Sequence, residues 1–212
     1  MSLIDLLYQI PVLLISLTIH EYSHGIAAYY LGDDTAKRAG RLSLNPISHI
    51  DPIGLLMLFI VHIGWAKPVP INPYNFKDYK RDTAITAAAG PISNFILAII
   101  ISLIFNFLRS VIPMEHILNP LPKFVFRMLY YAVLINLALG LFNLIPLPPL
   151  DGSKILGGFL SDKQYYNYTA KERQGAMILM IIFAADYFLR LGLIRSIIEV
   201  PLKFLMNLLL NL

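Results

Sequence analysis

The chain has 212 residues, of which 57% are hydrophobic and only 14% charged, with a mean hydropathy of +0.65; a soluble domain carries roughly 25% charged residues. That balance excludes an ordinary water-soluble globule and points to an all-α polytopic membrane protein, read as one integral membrane domain over residues 1–212. The net charge of +4 arises from Lys and Arg too scattered to argue for nucleic acid as a partner, and with no cysteine both disulfides and thiolate metal sites are excluded.

Apolar segments run over about residues 3–31, 52–65, 83–112, 123–147, 175–189 and 192–211. Crossing hydrocarbon takes roughly 20 helical residues, so the first, third and fourth are predicted spans. The opening residues Met1 to Asp5 lack the basic region of a cleaved signal peptide, and the first helix is expected to stay. Inside it lies His20-Glu21-Tyr22-Ser23-His24, an HExxH run. On a helix the two histidines project from one face, one turn apart, as two imidazole ligands of a tetrahedral zinc require, and Glu21 is placed to take a proton from the attacking water. The same pattern on a soluble helix could be a solvated face, but His, Glu and His within hydrocarbon are costly and usually mark function. From His20 to a helix end near Leu31 is about 17 Å, so the site is predicted to sit below the headgroups and to need a water path from the cytoplasm.

The second segment is too short to cross. Pro52 opens it, Gly64 closes it, and the stretch Trp65-Ala66-Lys67-Pro68-Val69-Pro70-Ile71-Asn72-Pro73 cannot be helical, so a re-entrant helix followed by an extended loop is expected. Basic clusters at Lys37, Arg38 and Arg41, at Lys67, Lys77, Lys80 and Arg81, and at Lys154, Lys163, Lys171 and Arg173 all fall in the cytoplasm if this segment does not cross; the N-terminus is then outside. Arg109, Lys123 and Arg127 near the external loop weaken that assignment without reversing it. Residues 175–212 are read as one or two C-terminal helices, the second interrupted by Pro201.

A catalytic zinc takes three protein ligands. Asp51, Asp151, Glu172, Asp186, Glu199, His49, His62 and His116 are the candidates for the third. Asp151 is best placed, because Pro146, Pro148 and Pro149 break the fourth helix just before it and Gly152 lets the chain turn just after. An ordinary helix N-cap is the alternative for Asp151. His62 is read as a packing histidine, and Asp186 as the partner of Arg190 four residues later.

His20-Glu21-x-x-His24-Gly25, Gly90-Pro91-Ile92-Ser93-Asn94 and the stretch from Asn143 to Leu150-Asp151-Gly152 occur in the order seen in the site-2 protease family of intramembrane zinc metalloproteases. Over roughly residues 16–160 the chain resembles that family, and Gly64 to Pro70 looks like its short prokaryotic branch. The resemblance implies a three-helix catalytic core within residues 3–160, one Zn2+ held by His20, His24 and Asp151, and Glu21 as the catalytic base. It also implies membrane proteins or peptides as substrates, cut within or near the bilayer, often in regulated intramembrane proteolysis, by an enzyme of the cell membrane whose site opens to the cytoplasm. No insertion is long enough for a PDZ domain. Asn94 and Asn143 are candidate oxyanion or substrate-positioning donors, against a simple role in joining helices. Asn72 is read as a substrate-holding residue, and residues 66–73 as a sheet edge on which an unwound peptide could pair. A metal-binding membrane transporter or channel, with His20, Glu21 and His24 as transit ligands, is the alternative reading.

Overall fold

A computed structural model of the protein describes residues 3–61, 64–117, 119–189 and 191–211, so His62 and Arg190 lie outside the described residues. In chain order the helices are α1 (Leu3–Tyr30), α2 (Thr35–Arg38), α3 (Pro52–Val61), α4 (Tyr79–Val111), α5 (Met114–Ile117), α6 (Pro120–Asn143), α7 (Asp151–Phe159), α8 (Asp162–Thr169), α9 (Glu172–Leu189) and α10 (Leu193–Leu210), with 3-10 turns at Pro46–His49 and Pro73–Asn75. Among the described residues α4 and α6 are the helices long and apolar enough to cross a membrane. At 1.5 Å per residue they reach about 50 and 36 Å, against roughly 30 Å of hydrocarbon. The 28 residues of α1 reach about 42 Å.

α1, α4 and α6 pack on one another as the expected three-helix core, α7 lies against α4, and α10 covers α4 and α6. The end of the bundle away from the HExxH run is filled by Phe105, Phe126, Val133, Leu137, Met206 and Leu210. Ile92, Ile96, Ile99, Leu103 and Phe107 of α4 stay exposed instead. A stripe of that length on a water-facing surface would be an association site, whereas in lipid it is an ordinary helix exterior.

Two boundaries of the core helices differ from the hydropathy reading by a full turn. α4 begins at Tyr79, a turn before residue 83, because the Asp78 side chain caps it by accepting from the Arg81 N–H at 2.9 Å. That first turn is too polar to register as apolar sequence. α6 stops at Asn143, four residues before 147, since Pro146 removes a donor and biases Ile145 away from helical backbone.

The short α3 returns the chain to an extended segment from residue 64, which is pinned by the Ile50–Ala66 antiparallel bridge and by the Lys67 N–H donating to His49 O at 2.9 Å. At its far end the segment is clamped by the buried Asp33, whose carboxylate accepts from Asn72 N–H at 2.7 Å, Asn75 Nδ2 at 2.7 Å and Thr35 N–H at 3.1 Å. The Asn72 amide oxygen caps the following turn by accepting from Tyr74 N–H at 3.2 Å. Asn72 is therefore a structural residue, which corrects its reading as a substrate holder. The basic clusters gather at this end as well: Arg41 donates to Lys67 O at 2.9 Å, and Lys80 pairs with Asp162 at 3.2 Å.

Burial pushes the Asp33 carboxyl up, but the hydrogen bonds from Thr35, Asn72 and Asn75 prevail and hold it below the usual carboxylate value. A depressed folded value means that the clamp's stabilisation is complete above the unfolded pKa of about 3.9 and is lost as the pH falls below it. Asp33→Ala is expected to lower stability by about 1–3 kcal/mol at neutral pH, since buried donors lose their acceptor. Thermal unfolding in detergent, repeated near pH 3, should show the difference between parent and variant shrinking.

Candidate metal centre

His20 and His24 face the same side of α1 and meet Asp151, the first residue of α7. The His20 Nε2 to His24 Nε2 separation is 3.1 Å, and Asp151 Oδ2 lies 3.1 Å from His20 Nε2 and 3.3 Å from His24 Nε2. Two ligand atoms each about 2.0–2.1 Å from a tetrahedral zinc stand about 3.3–3.4 Å apart, so the triangle is close to the face such an ion needs. Among the described residues this is the one group of three His, Asp or Glu side chains able to share an ion. Asp151 Oδ2 is buried with no hydrogen-bond donor, an arrangement that a cation in the triangle would satisfy.

The opposite nitrogens of both rings are engaged. His20 Nδ1–H donates to Asn94 Oδ1 at 2.6 Å, and His24 Nδ1–H donates to the Thr86 carbonyl at 2.8 Å. Each bond fixes the tautomer that leaves Nε2 as a lone pair aimed into the triangle. The donor set and its orientation therefore fit zinc.

Backbone packing makes room for this convergence. A Cβ on Gly90 would collide with His24 Nε2 and stand 2.7 Å from His20 Cε1, so only a glycine in α4 lets the imidazoles lie against that helix. Gly152 plays a comparable part after Asp151, where a Cβ would run into the Leu144 carbonyl. α7 consequently tucks under the broken end of α6 and carries Asp151 to the histidines. The Asp151 side chain is turned to them, and α7 starts without a side-chain cap, so the N-cap alternative is set aside.

Glu21 lines the same cavity of about 250 Å³, together with His20, His24, Asn143 and Asp151. Its Oε2 accepts from the Val69 N–H at 2.8 Å, the one backbone donor in Pro68-Val69-Pro70. The extended loop thus holds the carboxylate beside the triangle. Asn143 spends one amide hydrogen on Leu139 O at 3.0 Å and has a second available to the cavity it lines.

Asn94 needs a correction. Its Oδ1 is taken by His20, and its Nδ2 donates to Asn136 Oδ1 at 2.9 Å and more weakly to Ser16 O at 3.4 Å. Asn136 in turn donates to Ser16 Oγ at 2.9 Å and Ala132 O at 2.8 Å. With its donor turned away from the cavity, Asn94 cannot serve an oxyanion; it orients His20. Asn136, Ser16 and Thr86 belong to the same support and were not singled out in the sequence. Asn94→Leu is expected to weaken metal binding about 10- to 100-fold, as loss of a ligand's hydrogen-bond partner typically does. Competitive chelator titration checks it.

Three of the other third-ligand candidates are engaged elsewhere. Asp51 caps α3, accepting from Ile53 N–H at 2.8 Å and Gly54 N–H at 3.0 Å; the buried His49 donates through Nε2 to Ser43 O at 2.7 Å; and Glu199 pairs with Lys203.

A family model described as peptidase family M50 matches residues 72–185, a region that contains Asp151 and excludes the HExxH run. Several relatives carry the name "Putative zinc metalloprotease", among them YwhC and Rip2. YwhC of Bacillus subtilis (strain 168) is 37% identical over 179 residues, covering 83% of this chain and 80% of that protein. Rip2 of Mycobacterium tuberculosis (strain ATCC 25618 / H37Rv) is 25% identical over 178 residues, covering 81% and 64%. The zinc metalloprotease MJ0392 of Methanocaldococcus jannaschii is 39% identical over 83 residues, covering 39% and 21%. No solved structure matches the chain.

Proposed function

Since the chain belongs to peptidase family M50, we propose that it is a zinc-dependent intramembrane endopeptidase that hydrolyses peptide bonds in or near the transmembrane segments of membrane proteins. Zinc, when bound, supplies a Lewis acid that polarises the scissile carbonyl and makes water a nucleophile near neutral pH. His20, His24 and Asp151 hold it, with the ring tautomers set by Asn94 and the Thr86 carbonyl. Glu21 receives the proton of the attacking water and delivers it to the departing amine nitrogen, so that it ends the cycle ionised. The free amide hydrogen of Asn143 is the donor assigned to the developing oxyanion.

Lipid placement follows from charge and packing. α1, α4 and α6 cross the bilayer, the basic clusters and the mouth of the metal cavity beside Lys154 face the cytoplasm, and α3 with the extended segment re-enters without crossing. The catalytic unit covers about residues 3–160 and the C-terminal helices belong to the same membrane domain. Residues 66–73 offer an edge on which an unwound substrate can pair, because the Ile50–Ala66 bridge is carried by the Lys67 N–H and, among the described residues, the Ala66 N–H and C=O make no backbone hydrogen bond.

The observation that carries the proposal is the triangle of 3.1–3.3 Å closed by an Asp151 oxygen that has no donor of its own. Elemental analysis of the purified protein is expected to find one zinc per chain, and Asp151→Ala is expected to lose both zinc and cleavage of a membrane-embedded reporter segment. A parent protein free of zinc after purification without chelators would refute it.

A further inference from the structure

A second cavity, of about 300 Å³, is lined on α1 by Leu13, Leu14 and Leu17, on the N-terminal side of the residues that line the metal cavity. Its walls continue the walls of the metal site in three chain segments at once. On α1, Leu14 and Leu17 precede His20 and Glu21; on the extended segment, Trp65 and Ala66 precede Pro68 and Val69; at the end of α6, Leu139 and Phe142 precede Asn143. At 1.5 Å per residue, Leu17 sits about 5 Å and Leu14 about 9 Å below His20 along α1. Phe183 of α9 closes the side by packing on Phe142, their ring centroids 5.7 Å apart.

The lining is almost wholly apolar; of its polar members Asp51 caps α3, and His49 donates through Nε2 to Ser43 O while its Nδ1 has no partner among the described residues. The lining supplies neither a ligand set for a metal, since the one group of three among the described residues is His20, His24 and Asp151, nor a Lys or Arg for an anion. The volume lies at the lower end of the ligand-pocket range of roughly 300–1,000 Å³, and an intact helix about 10–12 Å across cannot enter it. What fits is one or two bulky apolar side chains from an unwound segment. In the orientation proposed above, residues N-terminal to His20 on α1 and to Asn143 on α6 face away from the cytoplasm, so this cavity lies where the part of the substrate still in hydrocarbon runs.

We propose that this cavity is a substrate subsite, which takes a large apolar side chain from the membrane-embedded side of the scissile bond. The inference rests on the protease reading and adds what that enzyme selects. An extended chain laid along residues 64–70 sends alternate side chains to opposite faces, so a residue only a few positions from the scissile bond reaches Leu14, Leu17 and Phe142.

The test uses the full-length Glu21→Gln protein in proteoliposomes, with a synthetic Leu/Ala transmembrane segment carrying a photoreactive benzoylphenylalanine at one position in turn. Crosslinks are expected to concentrate on Leu14, Leu17 and Phe142 at one register of the segment. Leu14→Trp, which fills the cavity, should cut that yield roughly tenfold or more, whereas the enlarging Leu17→Ala change should not, in keeping with the cost of misfit in an apolar pocket. Unchanged zinc content reports that both variants fold. Crosslinks confined to the outer α4 face at Ile99 and Leu103, no crosslinks, or an undiminished yield in Leu14→Trp would overturn the subsite. So would labelling of the same residues by a photoreactive fatty acyl chain that the segment does not displace, since lipid would then be the occupant. Wild-type cleavage of the same segments is scored apart: crosslinks at the subsite without cleavage would count against the protease and keep the docking site.

Discussion

Glu21→Gln is expected to keep one zinc per chain and to lose at least about 10²- to 10⁴-fold in cleavage rate, the usual contribution of a positioned general base. Glutamine is nearly isosteric, and its amide oxygen can still accept from the Val69 N–H that holds the carboxylate at 2.8 Å. The loop is then undisturbed, and the ligand triangle of His20, His24 and Asp151 is untouched because Glu21 is not one of its members. What disappears is the ability to take a proton from water and return it to the amine. Cleavage of a reporter segment in proteoliposomes, with zinc measured on the same sample, checks both halves. A variant that retained the parent rate would remove Glu21 from the chemistry, and retained transmembrane metal flux in a parent without peptidase activity would favour a transporter.

The parts of the site that were legible are those whose chemistry is confined to a short run or advertised by a breaker. HExxH puts two candidate ligands and a candidate base in five residues. Asp151 was readable because Pro146, Pro148 and Pro149 end α6 early, and a helix broken at membrane depth must have a reason. The three spans followed from the lengths of the apolar runs and their grouping into one core from the family resemblance, while a polar first turn and a proline moved the start of α4 and the end of α6. The direction of the Asn94 amide was not readable. An asparagine carries both donor and acceptor, and only its packing beside His20 and Asn136 decides which one meets the site. Thr86 acts through its backbone carbonyl, which leaves no mark on residue type. Asn136 and Ser16 did leave one: polar residues inside predicted spans are costly in lipid and ask for partners, though sequence alone could not pair residues 120 positions apart.

Gly90→Ala isolates the most stringent packing requirement in this site. On helix propensity alone the change should stabilise α4 by about 1 kcal/mol, since alanine replaces glycine in a helix interior. The added methyl, however, would overlap His24 Nε2 and stand 2.7 Å from His20 Cε1, distances that real Cβ atoms do not tolerate. Neither ring can step aside cheaply. His20 is tied to Asn94 and His24 to the Thr86 carbonyl, while the opposite nitrogens must converge on Asp151. Relief therefore comes from moving an imidazole off the triangle or α1 away from α4, and either opens the ligand set. The expected outcome is loss of at least 10- to 100-fold in zinc affinity, comparable to removing a ligand's hydrogen-bond partner, with helix content by circular dichroism unchanged. Cleavage should fall in proportion to the zinc lost and recover partly at high zinc concentration, which a general folding defect would not allow. Full zinc occupancy and parent-like cleavage in Gly90→Ala would show that the imidazoles do not rest on α4, and the ligand geometry at 3.1–3.3 Å would then lose its structural support.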